Sequence, residues 1–382
     1  MKTPVFKQNI LIFLFMCLIS CSDDTYVAEG DVMSPEGFVS FYLTVSSDGL
    51  PTGEDEYNEN RFSTLDIFFY SENAGDDEAA LLHYHRTLAE DVQNLFVKVP
   101  SEGLTKPFVE GKRKYKIVAI ANCDEVSRLD ESETTISRIR ALKTGDDMTF
   151  RSPAAPESFV MHTLDSPMVV NVDDRGNGVQ TYILNFKRLA AKIRLALSVK
   201  ERVFDDNGIE WRPVVDKMRL FINNGVAVSR LDGDNLSQHA DKGDFYSVSP
   251  DESVCYARSL AYHDSNYLSG KKDDTYLFYN DIPYYTYPHG WHGESTTERF
   301  TSLVVAIPWI SESDKEGHET CQTTYYIIPV DNEGKIISDS FYYLRARIET
   351  RGSGRFDSPM PTEAECMREE QWNKFENDVI LW

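Results

Sequence analysis

Short runs in which apolar and polar positions alternate dominate the chain. GFVSFYLTVSS, residues 37–47, is rich in β-branched and aromatic residues and bounded by Gly and Ser, so it predicts a strand. After the polar loop DGLPTGEDEYNENR, STLDIFFYSE alternates and stops at the turn-like NAGDDE; ALLHYHRTL, NLFVKVP and RKYKIVAIANC continue the pattern. One segment breaks it. In SETTISRIRALKTG, Ile136, Ile139 and Leu142 share a face at helical spacing, a Thr or Ser precedes them as cap, and Gly145 closes the helix. Strands resume at SPMVVNV and QTYILNFKRLAAKIRLALSV, on either side of the turn DDRGNG. Within the latter, Ile193, Leu195, Leu197 and Val199 alternate with Arg194, Ala196 and Ser198, the pattern of a half-buried strand. VVDKMRLFINN, TYLFYN, SLVVAIPWI, TTYYIIPV and FYYLRARIET supply more, and Asp232–Gly270 reads as a polar surface excursion. Many short strands between turn signals predict an all-β chain of sandwich type with one or two short helices. A chain of 382 residues exceeds one ordinary core, so two β-sandwich domains are expected, at 21–200 and 201–382, with about twenty residues of latitude at the boundary.

The first twenty residues do not alternate. Ile10–Ile19 is an unbroken apolar run of ten, half of the roughly 20 that a spanning helix needs, and it suits the hydrophobic region of a secretory signal at residues 1–20. Lys2 and Lys7 supply the positive flank, and Leu18-Ile19-Ser20-Cys21 has the form of a lipobox, which makes Cys21 the lipidated N-terminus of a mature lipoprotein. A lipoprotein cysteine carries more than one acyl chain, and each buried methylene contributes about 0.8 kcal/mol, so anchoring is stable. Ser22-Asp23-Asp24 resembles the acidic signal that sends some Gram-negative lipoproteins to the outer face of the outer membrane.

Charge narrows the partners. The net charge is −23, and removing Lys2 and Lys7 with the signal makes it −25, a surface that repels nucleic acid and anionic headgroups. Four cysteines remain beyond the signal, Cys123, Cys255, Cys321 and Cys366; their spacing fits no metal knuckle, leaves pairing open, and suits mostly buried free thiols. His83 and His85 share a strand face with no acid close by in sequence, which reads as an exposed face and not a metal site. His289, His292 and Glu294 fall together in PHGWHGE, a Gly-containing loop with no helix to fix ligand geometry, so a structural aromatic loop is the expectation. No nucleophile elbow, phosphate loop or zincin motif occurs, and the carboxylates are spread through loops; the residues point to no enzyme, no metal and no cofactor. The aromatic run YLFYNDIPYYTYPHGW offers two readings, rings filling a sandwich core or a carbohydrate-stacking platform around Tyr284–Trp291.

Several blocks, in order, resemble the fimbrillins, subunits of the type V pili of Gram-negative anaerobes. STLDIFFY, YKIVAIANC, TTISRIRALKTG, FVMHT and LNFKRLAAKIRLAL, with its Arg-x-x-Ala-Lys motif, carry the resemblance in the first half. YYTYPHGW, TTYYIIPV, FYYLRARIETRGSG and the terminal DVILW carry it in the second. The resemblance implies two transthyretin-like, immunoglobulin-like sandwiches, lipoprotein export to the cell surface, and assembly with other fimbrial subunits by strand exchange. In stalk subunits of that family an Arg-specific protease removes the first strand, and a neighbour's C-terminal strand fills the groove. Here the removable strand would be FVSFYLTV, the cleavage Arg61–Phe62, and the donor Val379, Ile380, Leu381 and Trp382. Lys7 and Arg61 bracket a stretch with no Lys or Arg, and Arg61 lies almost on the next strand. A processed chain is a stalk or tip subunit; an unprocessed one is a basal anchor. The alternative of another class is a surface glycan-binding lipoprotein, with a host receptor or glycan as the external partner.

Overall fold

The computed structural model describes residues 37–45, 59–92, 94–109, 113–144, 158–172, 180–233, 245–246, 258–259, 261–263, 274–280, 283–290, 300–311, 320–331 and 334–369. Cys21, Gly145, Cys255, Trp291, His292, Glu294 and Val379–Trp382 lie outside the described residues.

The chain is mainly β. In the first half the strands are β1 (Phe38–Val45), β2 (Phe62–Ser71), β3 (Leu82–Val92), β4 (Leu95–Pro100), β5 (Lys114–Ala121), β6 (Met161–His162), β7 (Met168–Asn171) and β8 (Thr181–Arg188). They pair in the order β3-β2-β5-β6-β8-β1-β4, with β7 against β5. β8 alternates strictly, burying Tyr182, Leu184, Phe186 and Arg188 and exposing Thr181, Ile183, Asn185 and Lys187. Leu65, Ile67 and Phe69 of β2 join Val39, Phe41 and Leu43 of β1 in one apolar core.

The opposite face of β2 and β5 is covered too. Phe68, Tyr70, Val118 and Ile120 pack in a second cluster with Tyr285, Tyr287, Phe341 and Tyr343 from the second half. Both faces of these strands are therefore apolar, which is why LDIFFY reads as a nearly continuous hydrophobic run.

After Leu189-Ala190 the chain enters another sheet through β9 (Ala191–Lys200). β9 runs parallel to Phe341–Ile348 and antiparallel to Thr275–Tyr279 and Tyr284–Thr286. Strands Arg219–Asn223, Ser302–Ser311 and Cys321–Pro329 form the facing sheet, and a third core, with Ile193, Leu195, Leu197, Val305, Ile307 and Trp309, lies between the two. The half-buried reading of β9 needs correction: on the face of Arg194, Ala196 and Ser198, Ala196 and Ser198 are buried and Arg194 is half-buried, and Lys192 on the same face is buried too. The second cluster covers that face.

The helix is shorter than its sequence pattern. It spans Ile136–Ala141, capped by the Thr135 hydroxyl, which accepts from Arg138 N–H at 3.0 Å. It ends before Gly145 because the next residues are taken up by a bridge between Lys143 and Arg230, with Leu231 N–H donating to Leu142 O at 2.9 Å. Of Cys123, Cys321 and Cys366 only Cys123 is buried; Cys321 is exposed and Cys366 half-buried, against the expectation of mostly buried thiols.

One glycine is demanded by packing. A Cβ on Gly352 would stand 2.7 Å from Tyr325 O and 2.8 Å from Tyr326 Cζ, and its N–H donates to the Tyr326 hydroxyl at 2.8 Å. Gly352→Ala is expected to destabilise the fold by about 1–3 kcal/mol, read as a lower denaturant midpoint, while Gly75→Ala, where the nearest atom is 3.8 Å away, changes it little.

Candidate functional site

β1 lies one strand in from the edge of its sheet, between β8 and the edge strand β4, and residues 46–61 separate it in sequence from β2. It pairs antiparallel with β4, from Phe38 opposite Pro100 to Leu43 opposite Leu95, and parallel with β8, from Ser40 opposite Thr181 to Val45 opposite Phe186. Val39, Phe41, Leu43 and Val45 project into the core. Four such side chains contribute about 6–12 kcal/mol by burial, at 1.5–3 kcal/mol each, in addition to two hydrogen-bonded ladders. Removing this one strand would leave β4 and β8 as facing edges of an open groove with four empty pockets, a surface that another strand can complete.

From Glu59 onward six residues are pinned. Arg188 donates from Nε to Glu59 O at 2.8 Å, from Nη1 to Asp339 Oδ1 at 2.8 Å, and from Nη2 to Asn60 Oδ1. The Glu59 carboxylate accepts from Lys192 Nζ at 2.8 and 3.1 Å and from the Tyr285 hydroxyl. All five side chains, Glu59, Asn60, Arg188, Lys192 and Asp339, are buried. Burial raises the Glu59 carboxyl, but Lys192, Tyr285 and Arg188 outweigh it and hold the group below the ordinary range. At Asp339 burial wins over the attraction of Arg188, and its carboxyl is raised.

Arg61 and Phe62 follow directly. The Arg61 carbonyl accepts from Asn122 Nδ2 at 2.8 Å, and Asn122 Oδ1 accepts from the Ser63 and Thr64 amides at 2.8 and 3.2 Å. Asn122 adopts φ 60, a left-handed conformation that Asn tolerates, which aims its amide across the start of β2. The Phe62 ring is fully buried, edge-on to Phe186 at 5.2 Å.

By sequence, no family model and no curated protein matches the chain. Solved structures do. A fimbrilin (FimA) of Porphyromonas gingivalis W83 superposes with a TM-score of 0.51 at 13% identity, over 88% of this chain and 97% of that one. A candidate cell-adhesion protein of Parabacteroides distasonis gives 0.51 at 13% identity over the same shares. The fold is fimbrillin-like.

Within the fimbrillin-like fold, His85 is exposed as its strand pattern suggests, but His83 is buried. β2 pairs with β3 so that Asp66 stands opposite His85, and one buried carboxylate oxygen of Asp66 accepts from His83 Nε2 and His85 Nδ1, both at 2.8 Å. Ser127 donates to its other oxygen at 3.2 Å, and His85 Nε2 meets Thr87 Oγ1 at 3.2 Å. His83 is buried, stacked on Phe68 at 4.2 Å. The acid that joins the two histidines is 17 residues upstream of His83, adjacent only through the hairpin. Among the described residues no group of His, Cys, Asp and Glu side chains is arranged to hold a metal ion.

The aromatic run lies mostly inside. Tyr284, Tyr285 and Tyr287 are buried, so their faces are not open to a sugar ring. His289 is buried beside them: the Thr301 hydroxyl donates to Asn224 O at 2.8 Å and so accepts from His289 Nε2 at 3.1 Å. Of the residues singled out by sequence, Arg61 and Phe62 are brought to the pinned segment, while the lipidation and donor positions fall outside the described residues. Arg188 and Lys192, the cations of the Arg-x-x-Ala-Lys motif, are separated only by the apolar Leu-Ala-Ala, and that spacing is the signal in the sequence that they hold something buried.

Proposed function

We propose that this chain is a structural subunit of a cell-surface fimbria and not an enzyme, lipid-anchored to the outer membrane through Cys21 and joined to other subunits by strand exchange. The observation that carries this reading is the position of β1, between antiparallel β4 and parallel β8 with four side chains in the core. A strand so placed can be replaced by another chain's strand with recovery of both ladders. The donor is Val379, Ile380, Leu381 and Trp382, whose alternation gives two side chains to each face. In this reading the two sandwiches, 21–200 and 201–382, have separate tasks: the first accepts, the second ends in the donor. The chain serves as a stalk subunit when processed at Arg61 and as a basal anchor when intact.

Deleting Glu376–Trp382 is expected to abolish incorporation into fibres while the truncated chain still folds and reaches the surface. Immunogold labelling of fibres beside a far-ultraviolet spectrum of the purified chain checks this. Fibres carrying the truncated chain at normal density would overturn the donor assignment.

A further inference from the structure

The buried charges around Glu59 have no evident use in packing the sandwich, since an apolar set would fill the same space more cheaply. What they do is hold one short stretch of chain. The segment from Glu59 to Thr64 carries Arg61, the only Lys or Arg between Lys7 and Arg86 and hence the one bond at which a trypsin-like protease separates β1 from the rest. Three residues on either side of that bond are fixed. Glu59 and Asn60 are held by Arg188, Lys192 and Tyr285; the scissile carbonyl itself is held by Asn122; Phe62 is buried, and the Ser63 and Thr64 amides are hydrogen-bonded.

We propose that the Glu59–Lys192–Arg188–Asp339 cluster is a latch that gates proteolytic release of the first strand. The proposal rests on the reading of β1 as a removable strand. An endopeptidase must draw several residues around the scissile bond into its own cleft, and those from Glu59 to Thr64 cannot leave without breaking the buried, charge-assisted bonds of Glu59 and Asn60, the Asn122 bonds to Arg61, Ser63 and Thr64, and the packing of Phe62. Hydrolysis of Arg61–Phe62, in which water adds hydroxyl to the Arg61 carbonyl carbon and hydrogen to the Phe62 nitrogen, therefore proceeds only from the opened state. Its rate tracks how often that state is populated. Lys192 sits on β9 and Asp339 in the turn before Phe341–Ile348, so the second half of the chain controls whether the first half becomes an acceptor. A contact that biases β9 or the 339 turn would unlock the groove.

The test uses the full chain with an Arg-specific endopeptidase, reading the appearance of a Phe62 N-terminus by mass spectrometry. The comparator is a synthetic peptide spanning Glu54–Ile67. The intact chain is expected to be cut at Arg61 at least a hundredfold more slowly than the peptide. Glu59→Gln should speed this cut tenfold or more, and Tyr285→Phe, a milder change that keeps the charges, should speed it less. Ile307→Val, in the core of the second half and away from the latch, serves as the stability control and should leave the Arg61 rate near that of the parent. Cutting of the intact chain at the peptide's rate, or equal acceleration by Ile307→Val and Glu59→Gln, overturns the latch. Polymer formation is scored separately, so chains that release β1 as predicted and never polymerise support the latch while contradicting strand exchange.

Discussion

Lys192→Met is expected to destabilise the fold by about 3–5 kcal/mol, because it leaves the Glu59 carboxylate buried with its strongest partner gone. Tyr285 and Arg188 still face Glu59, but one is neutral and the other donates to the Glu59 backbone carbonyl. The same reasoning predicts strong non-additivity. Removing both charges, Glu59→Met with Lys192→Met, costs much less than the sum of the single changes, since no uncompensated ion remains. Urea unfolding of the four chains in the cycle measures it. Single variants that unfold near the parent midpoint would mean that water reaches Glu59, and the latch would lose its basis.

The second large effect is a loss of stability in mild acid. Burial holds His162 and His289 neutral, with pKa values of about 4 against an ordinary 6.5; nearby Asp165 pulls the first partly back up and the Tyr287 carbonyl the second. The folded pKa is below the unfolded one, so the unfolded chain takes up protons that the folded chain refuses. Stability is full above pH 6.5 and falls as pH drops from 6.5 to 4, by about 3 kcal/mol for each histidine. The neutral state is also what the local bonds require: His162 Nδ1 accepts from Leu164 N–H at 3.2 Å and would lose that bond on protonation. Unfolding midpoints measured at intervals from pH 7 to 4 should show the decline, and His289→Asn should remove about half of it. A flat profile would place both rings in contact with solvent.

Much of the architecture was legible because alternation survives wherever one face of a strand is open. β1 and β8 are cases in point, and their inward residues could be named from spacing. Where both faces are covered, period two no longer separates inside from outside. β9 reads as half-open because Arg194 and Ser198 are polar; in the fold Ser198 is buried and Arg194 half-buried, on the face covered by the second cluster. The candidate site was harder for a different reason. Arg61 stood out by the absence of other basic residues around it, but the partners that hold its neighbours come from far along the chain: Lys192 is 133 residues from Glu59, and Asp339 is 151 from Arg188. Nothing local in NENRF marks Glu59 as different from the other acids of DGLPTGEDEYNENR. The Asp66 cluster was hidden in the same way, a hairpin register placing an acid opposite His85. Buried polar residues inside apolar runs, such as Asp66 in TLDIFF and Arg188 in FKRLAA, are the trace that long-range pairing leaves in a sequence.

On the strand-exchange reading, the groove between β4 and β8, once vacated by β1, takes up the C-terminal segment of another copy or another subunit. The most direct test opens the latch with Glu59→Gln, cleaves at Arg61, and runs the product in SDS without heating. A ladder of SDS-resistant oligomers that disappears when Glu376–Trp382 is deleted is expected. Chains that begin at Phe62, have shed β1 and remain monomeric with the tail intact would contradict it.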